Sequence, residues 1–302
     1  MTVILAALRT GLTLVARHKR LIVPFYLANL LFGLLITLPL GALLNEFIGG
    51  SLVRERLGQA MDYDLFVEFL FHNDIELASL QGLMLVVPGV YWLLALFLSG
   101  GAMVVYANDS YRPNLFWGAS AEHFAPFGRL VLWSLPLLAL LFSLRFLEPL
   151  FERLIFGSDP YEYVLYWGAW IKMGLGYLGL LLFGIVFDYA RLNLVITGDR
   201  KARRSLWHAL VFAAHNPGRT FALAFILFVT GWLALAIYYP LSIALSAPSW
   251  LAVITLFVLQ QSYILLRLVL RLTYYSSQLG LYRSLSAKSR TLPLHLSESA
   301  AR

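Results

Sequence analysis

The 302-residue sequence contains no cysteine. Disulfide frameworks, thiol nucleophiles and Cys-ligated metals are therefore excluded, and the absence carries no information on redox compartment. Charge is scarce as well. Only 13% of residues are charged, against about 25% for a soluble domain, while 60% are hydrophobic. A water-soluble fold of this composition would expose too much apolar surface, and a hydrocarbon solvent removes that cost. Several motifs are missing too: there is no H-E-x-x-H pair and no G-x-x-x-x-G-K-[ST] phosphate loop. No histidine lies in any long apolar run, which argues against a haem-carrying span. No nucleophile and base fall at a spacing that would serve an intramembrane hydrolase. The expectation is a protein that is not an enzyme, with no cofactor and no metal. The order of a secretory signal, positive first and then apolar, is also lacking. Val3 to Val15 is largely apolar and Arg17-His18-Lys19-Arg20 follows it, so anchoring by the next segment is expected.

What the sequence does have is long apolar runs. A hydrocarbon core of about 30 Å needs roughly 20 apolar residues as a helix. Leu21–Leu44, Leu83–Ala107, Leu130–Leu147 and Trp167–Ala190 meet that requirement. From Thr220 to Leu266 there is no charged residue, and Ser246-Ala247-Pro248-Ser249 divides the stretch, because Pro and Ser favour a turn. Spans from Thr220 to about Leu245 and from Trp250 to Leu270 result. The fold class expected is all-α: a polytopic integral membrane protein of about six transmembrane helices, with amphipathic interfacial helices.

The net charge of +7 is unevenly placed. With the N-terminus inside, the cytoplasmic segments carry 17 Lys and Arg and the outer ones 4, namely Arg54, Arg56, Arg145 and Arg153. Acidic residues such as Glu46, Asp62, Asp74, Glu148 and Glu162 lean the other way. The positive-inside rule then puts both termini in the cytoplasm. Tyr161, Tyr163, Tyr166, Trp167 and Trp170 fit an outer aromatic belt. The basic residues lie beside spans, so no nucleic-acid partner is expected. Membrane lipids and a protein partner or second copy are.

A threefold repeat can be read in one membrane domain covering 1–302, with units 1–110, 111–197 and 198–285 and a disordered tail at 286–302. Each odd-numbered span follows a short amphipathic segment. In Thr2–His18 the apolar side reads Leu5, Leu8, Leu12 and Val15, opposite Arg9, Thr13 and Arg17, by spacings of three and four. In Arg200–His215 it reads Leu206, Trp207, Leu210 and Val211, opposite Arg200, Arg204 and His208. The segment Leu115–Phe124 is shorter. It ends in Pro126-Phe127-Gly128-Arg129, as the third ends in Asn216-Pro217-Gly218-Arg219, and both read as helix stops. Even-numbered spans end alike in Tyr106-Ala107, Tyr189-Ala190 and Tyr275-Ser276. Basic segments and tyrosines at helix ends are also common in multi-pass proteins without repeats. The outer loop Asn45–Gln81 is acidic, and Asp64–Leu80 reads as an amphipathic helix with Leu65 and Phe69 inward.

Polar groups inside spans are the candidate site, because each costs a few kcal/mol at the bilayer centre. Asp188 is the only acidic residue within the spans as read. It lies 18 residues beyond Trp170, or about 27 Å along a helix, near the inner boundary. Its partner is Arg267, Arg271 or Arg191 at i+3. The pair is either a gating or proton-coupled device, or a structural ion pair at the interface. Gln260, Arg267, Arg271 and Tyr274 share a stripe on the sixth span, able to line a polar crevice or to bond neighbouring helices. Gly174, Gly176, Gly179 and Gly184 allow close helix approach. His18, His123 and His215 fall at related places in the three units, more in keeping with surface residues than with a metal site.

The run Asp188-Tyr189-Ala190-Arg191, then Arg200 to Arg204 and Leu206-Trp207-His208-Ala209-Leu210, resembles poorly characterised bacterial six-helix membrane proteins. These are similar to the membrane domain attached to some glycerophosphodiester phosphodiesterases. The resemblance covers mainly the last two thirds of the chain, implies a bacterial inner-membrane protein, and carries over no catalytic residue. Scarce intramembrane polarity points to a non-catalytic structural or partner-binding subunit. The alternative is a permease-like protein for lipid or another apolar substrate, working with an ATPase.

Overall fold

The computed structural model describes residues 2–48, 74–157, 161–198, 201–245 and 249–299, with side chains omitted at Ile48, 74–80 and 287–299. Every regular element among them is helical. The elements are α1 (Thr2–Arg17), α2 (Ile22–Ile48), α3 (Asp74–Asn108), α4 (Pro113–Phe142), α5 (Leu147–Phe156), α6 (Glu162–Thr197), α7 (Ala202–His215), α8 (Pro217–Ala244) and α9 (Trp250–Ser299). Short 3₁₀ turns, Lys19–Leu21 and Ser143–Phe146, join α1 to α2 and α4 to α5. Six stretches are long and apolar enough to cross a membrane: Lys19–Phe47, Gln81–Asn108, Pro113–Phe156, Glu162–Thr197, Pro217–Ala244 and Trp250–Ser286. The chain is an all-α polytopic membrane protein, as its apolar runs require. Leu65 and Phe69 of the acidic loop, and Ser246 to Pro248 of the last turn, lie outside the described residues. The expected tail at 286–302 falls mostly among residues without described side chains.

The chain divides into two compact units. The first comprises 1–16, 100–227 and 273–302; the second comprises 17–99 and 228–272. In the second, Leu21, Phe25 and Ala28 of the first span are buried, by spacings of four and three that share a helix face. Tyr26 donates to the Gln261 side-chain carbonyl at 2.8 Å. Phe32 meets Tyr91 edge-on at 5.7 Å between ring centres, and Tyr238 stacks on Tyr263 at 4.7 Å.

In the first unit small side chains are prominent on the buried faces of the interfacial helices, and of the expected apolar side of α1 Val15 is buried and Leu8 packs against the core. On α1 the buried residues are Ile4, Ala7, Gly11 and Val15, while Leu5 and Leu12 are exposed. On α7 they are Ala202, Ser205 and Ala209, while Trp207 is exposed. The reason is the solvent. In lipid an outward Leu costs nothing, so the inner face is chosen by how closely two backbones can approach. A Cβ at Gly11 would collide with the Ser277 hydroxyl, and one at Gly101 with the Phe116 carbonyl and the Ser120 hydroxyl. In α6, a Cβ at Gly179 would strike the Leu141 carbonyl, and Gly168 lies against the Glu148 carboxylate, whereas Gly174 and Gly184 face open space.

One expected helix stop is absent. α4 runs straight through Pro126, which membrane helices tolerate where neighbouring groups re-satisfy the backbone. At the corresponding place α7 does stop: Asn216 has φ −129° and ψ 46°, and α8 begins at Pro217.

Candidate functional site: a buried polar cluster around Asp188 and Arg191

An amphipathic helix buries one stripe, but a helix surrounded on all sides is buried all round. From Ile185 to Leu194 every residue of α6 is buried. This stretch is the centre of the first unit, and it contains Asp188, Arg191 and Asn193.

Asp188 accepts a hydrogen bond from the Arg191 guanidinium, forming an ion pair one turn apart. Residues three apart on a helix are neighbours, so the backbone itself presents the two groups to each other. Aromatic rings face the cation of the pair. The Arg191 guanidinium stands 5.1 Å from the ring centre of Phe187, 5.2 Å from Tyr275 and 5.9 Å from Phe127. Ring faces are negative, so each attracts the cation, most strongly where water is excluded.

Beside the pair runs a second polar line. Asn193 Nδ2 donates to the Tyr282 hydroxyl at 3.0 Å, and Ser205 of α7 donates to Asn193 Oδ1 at 3.1 Å. Tyr189, Phe212 and Tyr282 pack as three rings, with centres 4.9 to 6.5 Å apart. On α9, Thr273, Ser276, Ser277 and Gln278 are each at most 1% exposed. Ser276 Oγ donates to the Gly11 carbonyl at 3.1 Å. The Thr273 and Ser277 hydroxyls, the Gln278 amide group, and the Ser120 and Tyr189 hydroxyls are buried without a hydrogen-bond partner. Such groups normally cost about 1–3 kcal/mol each.

Of the residues expected from sequence, Asp188 and Arg191 are brought together. Arg267 and Gln260 are exposed positions of the second unit. Arg267 stands over the Tyr263 ring at 5.9 Å, and Arg271 is half-buried in the same unit. His123 and His215 each meet a carbonyl of their own helix, Ala119 at 3.0 Å and Val211 at 2.8 Å. No cluster of three or more metal-ligating side chains occurs among the described residues. The line Thr273–Gln278 and the Asn193–Ser205–Tyr282 contacts were not anticipated. Their signal is conditional: a Thr-x-x-Ser-Ser-Gln run has to be either inside or costly only where the apolar helix continues past Leu270.

Geometrically, this cluster can hold helices in register; its acid and base already satisfy one another. The fold and the cluster together define a polytopic all-α membrane protein with a buried polar cluster in its first unit. No family model, no curated protein and no solved structure matches the chain.

Proposed function

We propose that the chain is a non-catalytic subunit of a bacterial cytoplasmic membrane, with both termini in the cytoplasm, binding a partner protein or a second copy through its apolar helix faces and outer loop. The observation that carries this reading is the state of Asp188. A transport path for a polar solute must offer groups that replace water, and here the one carboxylate within the spans as read is paired with Arg191, whose guanidinium also faces three aromatic rings. The orientation rests on 17 Lys and Arg on one side against 4 on the other.

The contacts within the first compact unit also support a threefold repeat with units 1–110, 111–197 and 198–285. The interfacial segment of the second unit packs on the end of the first unit's second span, through Phe116 and Ser120 on Gly101. That of the third packs on the second, through Ser205 on Asn193. That of the first packs on the third, through Gly11 on Ser276. The pattern closes on itself and buries Tyr106, Tyr189 and Tyr275, the tyrosines that end each even-numbered span. The similarity to membrane domains attached to phosphodiesterases fits a module that positions something else.

The test is purification of the tagged chain in mild detergent with quantification of what accompanies it. A fixed ratio to one partner, or a defined oligomer, is expected. A monodisperse monomer that drives substrate flux across reconstituted vesicles, lost on Asp188→Asn in protein that still folds, would overturn the reading.

A further inference from the structure

A cleft of about 890 Å³ lies between α4 and α7, within the roughly 300–1,000 Å³ usual for a ligand site. Its charged lining is of one sign: Arg129 from α4, and Lys201, Arg203 and Arg204 at the start of α7. No acidic side chain is among the described lining residues. The rest of the lining is mostly apolar, with Trp133 and Leu137 on α4 facing Leu206, Trp207 and Leu210 on α7.

The order of these groups matters more than their number. Arg129, Trp133 and Leu137 are spaced by four, so they share one helix face. From first to last they cover about 12 Å of helix. Charge, then an amphipathic ring, then an aliphatic chain is the sequence met on passing from headgroups into a bilayer. Arg203 stands over the Trp133 ring at 5.8 Å, which brings the charge of α7 over the aromatic step of α4. Ala202, Ser205 and Ala209 hold α7 inward, leaving Trp207 64% exposed.

We propose that this cleft binds one anionic phospholipid of the adjoining leaflet. Its phosphate sits between Arg129 and Arg203, whose planar guanidinium groups suit phosphate oxygens. Its chains lie along Trp133 and Leu137. A free phosphate would leave the tryptophans and leucines unused, and a zwitterionic headgroup would bring its own cation against four basic residues. The site does not depend on whether the chain is a subunit or a carrier.

The experiment is native mass spectrometry on the full chain, delipidated in mild detergent and titrated with phosphatidylglycerol or phosphatidylcholine. One tightly held phosphatidylglycerol is expected, preferred over phosphatidylcholine. A basic residue near a membrane surface contributes roughly fivefold, so R129Q/R203Q weakens that lipid by about 25-fold. Arg153→Gln, on the exposed face of α5, leaves it unchanged. Soluble glycerol phosphate at millimolar concentration does not compete. Equal affinity for both lipids, indifference to R129Q/R203Q, or displacement by glycerol phosphate each overturns the proposal. If the double variant fails to fold, Arg203→Gln alone is exposed and is expected to lose about fivefold.

Discussion

Replacing Asp188 with asparagine leaves a guanidinium buried with no counter-charge. Arg191 is 5% exposed and Asp188 9%. Removing one member of such a pair costs about 3–5 kcal/mol. Asp188→Asn is expected at the lower end, because Phe187, Tyr275 and Phe127 still face the cation and desolvated ring contacts of this kind are worth roughly 2 kcal/mol. Arg191→Met is expected at the upper end, since it strands a carboxylate and forfeits all three ring contacts. The double replacement Asp188→Leu with Arg191→Met removes both charges together. It should recover most of the loss, as apolar replacements of buried pairs often do. Equilibrium unfolding in mixed micelles, followed by tryptophan fluorescence, measures all four proteins. Equal stability of wild type and Asp188→Asn, within about 0.5 kcal/mol, would refute the buried, coupled pair. A double variant less stable than Arg191→Met would refute it as well.

Three further outcomes follow from the packing and the charge asymmetry. Gly101→Ala and Gly179→Ala each place a methyl group against a backbone carbonyl; they should lose about 1–3 kcal/mol in the same unfolding assay, whereas Gly174→Ala, open to lipid, should be neutral or slightly stabilising. Gln278→Leu removes a buried amide whose nitrogen and oxygen both lack partners, and should stabilise by about 1 kcal/mol or more. The cysteine-free chain permits single-cysteine mapping in intact cells: Tyr161→Cys should react with a membrane-impermeant maleimide added outside, and Lys201→Cys only after permeabilisation.

The spans were readable because a run of some twenty apolar residues has few other uses, and chain order then settled the helix sequence. The inward faces of the interfacial helices were not. Ala7 and Gly11 pack inward while Leu5 and Leu12 face outward, because close backbone approach selects the contact face between packed membrane helices. Within the site, the i+3 option for Asp188 follows from helix geometry alone. Choosing between Arg191, Arg267 and Arg271 required knowing which helices meet. The stripe through Gln260 missed the glutamine that bonds Tyr26 by one position, since Gln261 points 100° further round the helix. The polar run from Thr273 to Gln278 lies beyond Leu270, where the sixth span as read ends, and polar side chains past a span's end are ordinary unless the helix is known to continue.

The bond from Ser276 to the Gly11 carbonyl joins residues 265 positions apart. During synthesis at about 5–20 residues per second, the N-terminal helix therefore waits on the order of 15–50 s for its seat to emerge. Through that interval the last span's share of the seat is missing, although Leu223 of α8, in one core cluster with Ile4 and Ala7, emerges earlier. A chain that stops before Thr273 therefore lacks the bond from Ser276 to Gly11.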